Sequence, residues 1–223
     1  SYRRQQAEGW QLNPYEENSK THELEETGKV ASTGFYANTV NQKFTFDATD
    51  KLSFYARGGY YDNNTRRPYE AYDYNILHET FNYGIGAQYM INKGNYITAD
   101  CYADHFSSSY CFFKDNKTYN GKAGEEQVRK RTRNHNLSIK GIFKLGNRHK
   151  LSVGTEYIVD VLKSQTDNIA KEDAYTLALF AQDEIKLLRN LQALIGVRYI
   201  YHENFKNHAT PNVALMYKPG KFN

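Results

Sequence analysis

Leu191-Gln-Ala-Leu-Ile-Gly-Val-Arg-Tyr-Ile-Tyr201 separates cleanly when alternate residues are taken apart. Leu191, Ala193, Ile195, Val197, Tyr199 and Tyr201 form one set; Gln192, Leu194, Gly196, Arg198 and Ile200 form the other. A period of two is that of a β-strand whose faces meet two different solvents.

The same rhythm runs backwards through the chain to about Val30. Strands are expected at about 30–48, 52–62, 76–91, from 95, 128–145, 149–164, 174–187 and 191–201, with a ninth from about Thr210. The apolar parity holds Leu52 and Phe54, then Phe81, Tyr83 and Ile85, then Ile97, Ala99, Cys101 and Ala103. It continues with Leu137, Ile139 and Phe143, Leu151 and Val153, Leu177 and Leu179, Ile195 and Val197, and Val213. Tight turns fall near residues 50, 93, 147, 190 and 220, and Asn92-Lys-Gly94 is a good hairpin signal because Gly supplies positive φ. The connections between those turns are longer. An antiparallel up-and-down meander therefore carries short turns on one rim and long loops on the other. Soluble sandwiches mix loop lengths and use Greek-key crossings, whereas transmembrane β-barrels place short turns on the periplasmic rim and long loops outside the cell. The expected class is all-β, part of a transmembrane β-barrel.

Composition fits. Among 223 residues there are 20 Tyr and 12 Phe but a single Trp; tyrosine, apolar in its ring and polar at its tip, suits the headgroup level. No stretch approaches the roughly 20 apolar residues of a membrane helix. A net charge of +4 with no basic stripe argues against a nucleic-acid partner. The rival without a membrane is a soluble Tyr-rich β adhesin, which leaves the ordered loop lengths unexplained. Residues 1–29 are polar and irregular and read as a loop segment, leaving 30–223 as a partial barrel of about nine strands. Both ends read as cut edges of a longer protein. Cys101 and Cys111 share a parity and lie about 33 Å apart if the strand is straight, too far to bridge, unless Ser107-Ser-Ser109 is a turn.

The C-terminal third resembles a known family. Tyr175-Thr-Leu-Ala-Leu-Phe-Ala-Gln-Asp-Glu184, Leu194-Ile-Gly-Val-Arg-Tyr199 and Thr210-Pro-Asn-Val-Ala-Leu-Met-Tyr-Lys-Pro219 follow an order similar to that in the barrel of TonB-dependent outer-membrane receptors. The resemblance implies a 22-strand barrel in the cell outer membrane, an N-terminal plug absent from this chain, and energised uptake of a metal chelate such as a siderophore, cobalamin or haem. It implies TonB as a partner through the plug, no cofactor and no catalysis.

Candidate contacts follow from position. Tyr69, Tyr72, Tyr74, Tyr110, Phe112 and Phe113, with Arg66 and Arg67, are expected on the outer rim, where rings stack on a ligand and guanidinium pairs with anionic groups. The alternative is packing of loop on loop. Tyr96, Asp100, Tyr102 and Asp104 are expected to face the lumen. Arg129, Arg131 and Arg133 share the lipid-facing parity and are placed to meet lipopolysaccharide phosphates. His202 and His208 flank one outer loop and raise haem ligation, but no metal-site spacing is present. An outer-membrane phospholipase is the enzymatic rival, because His105-Phe-Ser107 has the spacing of that family's pair, though no supporting Asn is identifiable.

Overall fold

The computed structural model describes residues 1–9, 15–26, 34–67 and 73–218. All its regular elements are strands: β1 (Tyr2–Ala7), β2 (Tyr15–Glu17), β3 (Leu24–Glu26), β4 (Phe35–Asp47), β5 (Leu52–Thr65), β6 (Tyr74–Asn92), β7 (Asn95–Phe112), β8 (Glu126–Leu145), β9 (His149–Ser164), β10 (Ile169–Leu188), β11 (Leu191–His202) and β12 (Lys206–Tyr217). Ten of them form one sheet in the order β1-β4-β5-β6-β7-β8-β9-β10-β11-β12, with β2 and β3 a separate hairpin. From β4 onward every neighbour in sequence is the neighbour in space, and every pairing is antiparallel.

The tight turns are set by local chemistry. Gly94 turns β6 into β7 at φ +98° and Gly146 opens the next turn at φ +63°, conformations that other residues rarely adopt. Thr49 Oγ1 accepts from the backbone N–H of Leu52 at 3.0 Å and closes the β4–β5 turn.

Register decides which face each side chain takes, because directly paired residues point the same way. The row Ala56–Ile85–Cys101–Leu137–Tyr157–Leu177–Tyr201 runs across seven strands on one face. All the apolar-parity residues predicted above belong to that face. Apart from the buried Ala103 they stand on the surface, not in a core: Ile85 is 64% exposed, Leu179 51% and Val213 71%. The buried apolar side chains among the described residues are few and mostly small, Ala37, Ala103, Ala178 and Ala193 with Ile142, Tyr74 and Phe112. The chain exposes 15866 Å², against about 10,500 Å² for a compact soluble monomer of its mass. A continuous row of exposed large apolar side chains, such as Ile85, Leu137, Leu177 and Ile195, needs an apolar solvent or partner. Aromatic rings edge the band on both sides: along β6, Phe81 and Tyr89 stand roughly 27 Å apart at about 3.4 Å per residue, about 21 Å of depth at the usual tilt of about 40°, which places both rings just inside the edges of an apolar band of about 25 Å.

Several boundaries differ from the sequence reading. Tyr2–Ala7, read as loop, is a strand paired with β4, so the sheet has ten strands rather than nine. The first predicted strand begins at Phe35, and residues 30–33 lie outside the described residues. β7 does not turn at Ser107–Ser109; it runs unbroken to Phe112, so Cys101 and Cys111 are both free and lie on one strand. β10 and β12 begin earlier than predicted, at Ile169 and Lys206, which shortens the loops before them to 165–168 and 203–205.

Candidate functional site

Tyr96, Asp100, Tyr102 and Asp104 lie on the polar face of β7, opposite the apolar band. That face is built by side chains reaching across an intervening strand where the middle residue is Gly. Tyr55, Gly86 and Asp100 are in register on β5, β6 and β7, and the Tyr55 hydroxyl donates to Asp100 Oδ1 over the bare glycine. One step along, Arg57, Gly84 and Tyr102 repeat the arrangement, with the guanidinium 4.7 Å from the ring centre. A methyl group on Gly86 would lie 2.6 Å from Asp100 Oδ1 and strike the Tyr55 ring. Farther along, Arg198 donates to Glu156 Oε2 at 2.6 Å across β10, where Ala178 is fully buried. Tyr55, Arg57, Glu156 and Arg198 were not singled out from sequence. For Tyr55 and Arg57 the signal was the glycine on the polar parity of the neighbouring strand, Gly86 and Gly84; for Glu156 and Arg198 it was the small Ala178 between them.

At the long-loop rim the predicted aromatics separate into different roles. Tyr69 and Tyr72 lie outside the described residues. Tyr74 stacks on Tyr110 with centroids 4.1 Å apart, and both rings pack edge-on against Phe112 and Tyr119. Tyr74 and Phe112 are buried. These rings therefore hold the 113–125 loop down on the polar face, the loop-packing alternative, and they are strand residues rather than loop residues. Arg67 covers Tyr74 at 5.6 Å, and Arg66 lies 6.0 Å from the Tyr36 ring. Phe113 donates its backbone N–H to Asp73 O, and Lys114 pairs with Asp73 at 2.8 Å. In the same loop Asp115 accepts from the backbone of Ala123 and from Lys122 Nζ, contacts that hold its carboxyl below the usual carboxylate range. Glu125 is lowered likewise by the backbone N–H of Lys122 and by Gln127.

Arg129 corrects the expectation that three arginines share one face. Lys130 pairs with Ser108 but Val128 pairs with Ser109, so β8 carries one extra residue there. A bulge of this kind re-aims a side chain. Arg131 and Arg133 remain on the apolar face with their partners Ser107 and His105. Arg129 instead turns toward the aromatic cluster, its guanidinium 5.4 Å from the Tyr110 ring and 5.0 Å from Tyr119, donating to Gln165 Oε1 at 3.0 Å. It borders a cavity of about 750 Å³ at the rim, with Tyr119, Gln127, Lys130, Lys163 and Gln165. Tyr119, Lys130 and Lys163 were missed from sequence because nothing in a polar stretch marks which residues a bulge brings together.

His202 does local work: Nδ1 accepts from the backbone N–H of Asn204 and Phe205, capping the turn, and its ring packs on Phe205. His105 and Ser107 are not joined to each other. His105 packs on Tyr83 and His135, and Ser107 Oγ donates to Glu79 Oε2 at 3.5 Å. Among the described residues no group of three or more His, Cys, Asp and Glu side chains is placed to hold a metal ion.

A wide antiparallel meander, apolar outside and polar inside, with a basic aromatic rim, defines a membrane β-barrel of the receptor type. Residues 9–222 match the family described as TonB dependent receptor-like, beta-barrel, and the chain belongs to that family. Among solved structures it is similar to a mutant of the ferric enterobactin receptor PfeA from Pseudomonas aeruginosa, with 13% identity and a TM-score of 0.67 over 83% of this chain and 31% of that one. It is also similar to the siderophore receptor PirA from Pseudomonas aeruginosa, with 16% identity and a TM-score of 0.61 over 85% and 34%. The RagAB peptide importer matches at 12% identity and a TM-score of 0.57 over 83% and 30%. The chain thus spans about a third of each of these proteins. No curated protein matches it in sequence. Barrels of this family reside in the outer membrane.

Proposed function

We propose that this chain is barrel wall of an outer-membrane receptor that binds an anionic, aromatic iron chelate of the siderophore type and takes it up with TonB through a plug. The single supporting observation is the rim cavity, where Arg129 lies over Tyr110 and Tyr119 beside Lys130 and Lys163. Its volume falls within the usual range for ligand sites, roughly 300–1,000 Å³. Cations backed by aromatic rings suit a chelate whose own rings stack and whose charge is negative. Tyr74 and Phe112 support this site from beneath rather than line it. Tyr96, Asp100, Tyr102 and Asp104 serve as lumen wall, with Asp100 tied to Tyr55 and Tyr102 to Arg57. The apolar face meets lipid, and the basic rim meets outer-leaflet phosphates. Haem and cobalamin draw no support from His202, whose Nδ1 is used by its own turn.

The reading is tested in the full-length receptor carrying Arg129→Ala, with ferric enterobactin as the probe. Loss of one charge-assisted, ring-backed contact should weaken binding about tenfold without changing the amount of folded receptor. Unchanged affinity would remove this cavity from the pathway.

A further inference from the structure

Two residues outside the rim cavity fix where one of its walls stands. The loop between β7 and β8 is a strap folded back on the polar face, and its tip is a narrow hairpin. Asn116 and Gly121 exchange both backbone hydrogen bonds there, each at 2.9 Å. Inside the tip, Asn116 Oδ1 accepts from the backbone N–H of Tyr119 at 2.9 Å. An Asn side chain used in this way sets the turn that follows it. The other end of the same amide, Nδ2, donates to Asp73 Oδ2 at 2.9 Å. Only one orientation of the amide serves both partners, because an ionised carboxylate only accepts and a backbone N–H only donates. Asp73 therefore decides which way Asn116 points, and Asn116 sets the turn that carries Tyr119.

Asp73 is itself fastened. It immediately precedes β6. Its Oδ1 pairs with Lys114 Nζ at 2.8 Å, and its backbone carbonyl accepts from the N–H of Phe113 at 2.9 Å. The first arm of the strap is thus tied to the end of the preceding long loop. At the tip, Gly121 lies against the Phe112 ring, where a Cβ would come within 2.5 Å of a ring carbon. Only glycine lets the tip lie this flat. The Tyr119 ring then falls 5.1 Å from the centre of Tyr110 and 5.0 Å from the Arg129 guanidinium. Tyr119 and Arg129 line the cavity of about 750 Å³, and the described residues around it include neither Asp73 nor Asn116.

We propose that Asp73 and Asn116 are positioning residues for chelate binding: acting through Tyr119, they hold its ring at the cavity wall, where it stacks on a ring of the chelate beside Arg129. Arg129 is carried by β8 and keeps its place without them; the Tyr119 ring does not. The inference rests on the reading of the rim cavity as the chelate site.

The test uses the full-length receptor containing this chain, in mild detergent, with ferric enterobactin as the probe. Affinity is read together with amide exchange at Tyr119 and Gly121. Asp73→Ala and Tyr119→Leu should each weaken binding roughly three- to tenfold, the range for one aromatic contact. Because Asp73 acts through Tyr119, the double variant should bind no more weakly than Tyr119→Leu alone. Losses that multiply would mean that the two residues act independently, and would overturn the proposal, as would full affinity in Asp73→Ala. Asn116→Asp keeps the acceptor for Tyr119 but sets a carboxylate against Asp73, and should weaken binding likewise. Adding Asp73→Asn to it returns one donor facing one acceptor and should restore most of the affinity; no recovery would break the proposed chain. Barrel assembly, read by heat-modifiable migration, should be the same in every variant. If Asp73→Ala does not assemble, Asn116→Ala cuts the same chain one link later and takes its place. Amide exchange keeps this inference apart from the uptake reading. If the parent receptor binds no ferric enterobactin, yet exchange at Tyr119 quickens in Asp73→Ala and slows again in the exchanged pair, the cavity reading fails and the positioning of Tyr119 stands. Exchange unchanged in Asp73→Ala would sink the positioning chain whatever the receptor binds.

Discussion

Along β7, the stretch from Ile97 to Ala103 and the stretch from Ser107 to Phe112 share one hydrogen-bonded ladder but not one chemistry. In the lower stretch Ile97, Ala99, Cys101 and Ala103 alternate strictly with Thr98, Asp100 and Tyr102. In the upper one, Ser107 to Ser109 are polar whichever way they face, and the aromatic residues Tyr110 and Phe112 lie on the inward side. The lower stretch stands between lipid and a hydrated lumen. The upper one has water or loop on both sides, so nothing forces alternation although the backbone pairing continues. The membrane writes the pattern into the sequence; the sheet itself extends beyond it.

The comparison is broken most sharply by moving the same charge between the two zones. Ile195→Arg, in the middle of the apolar band, should cost about 2–4 kcal/mol in a bilayer, and Ser107→Arg at the rim about 0–1 kcal/mol. Urea unfolding of the receptor in vesicles measures both, and equal costs would mean that the band does not mark the membrane. A second contrast is steric. Gly86→Val meets the Tyr55 ring and Asp100 and should destabilise by about 1–3 kcal/mol. Gly58→Ala, whose added carbon meets only Asn82 O at 3.7 Å, should stay within about 0.5 kcal/mol of the parent. Equal effects would argue against glycine making room for bridges across the polar face. The smallest effect lies in the outer loop. The folded-state value of Asp115 is depressed, so its contribution is present above the ordinary carboxylate range, near pH 4, and is lost as pH falls through the depressed value. Protection of the amides of residues 113–125, taken relative to their intrinsic exchange rates at each pH, should therefore fall in acid, and Asp115→Asn should remove that part of the change.

The strands of the band were legible because two solvents act on them: 149–164 coincides with β9, and 191–201 falls one residue short of β11. Where water lies on both sides, legibility failed. Tyr2–Ala7, with Arg3, Arg4, Gln5 and Gln6 in succession, reads as loop yet pairs with β4. The start of β12 at Lys206-Asn-His-Ala209 hid for the same reason. The bulge at Arg129 was illegible in a different way, since an arginine-rich run carries no Gly or Pro to mark an extra residue. That one residue separates Arg129 from Arg131 and Arg133, sending the first to the candidate ligand cavity and leaving the other two on the face of the apolar band.

The account stands on the assignment of faces, and a spin-label scan of β7 tests it directly. Single labels at each position from Ile97 to Asp104, in the full-length receptor in vesicles with the remaining cysteines replaced, would be read against dissolved oxygen and a water-soluble nickel complex. Oxygen accessibility should peak at Ile97, Ala99, Cys101 and Ala103, and nickel accessibility at Thr98, Asp100, Tyr102 and Asp104. A reversed phase, or the absence of a two-residue period, would contradict the lipid-facing assignment.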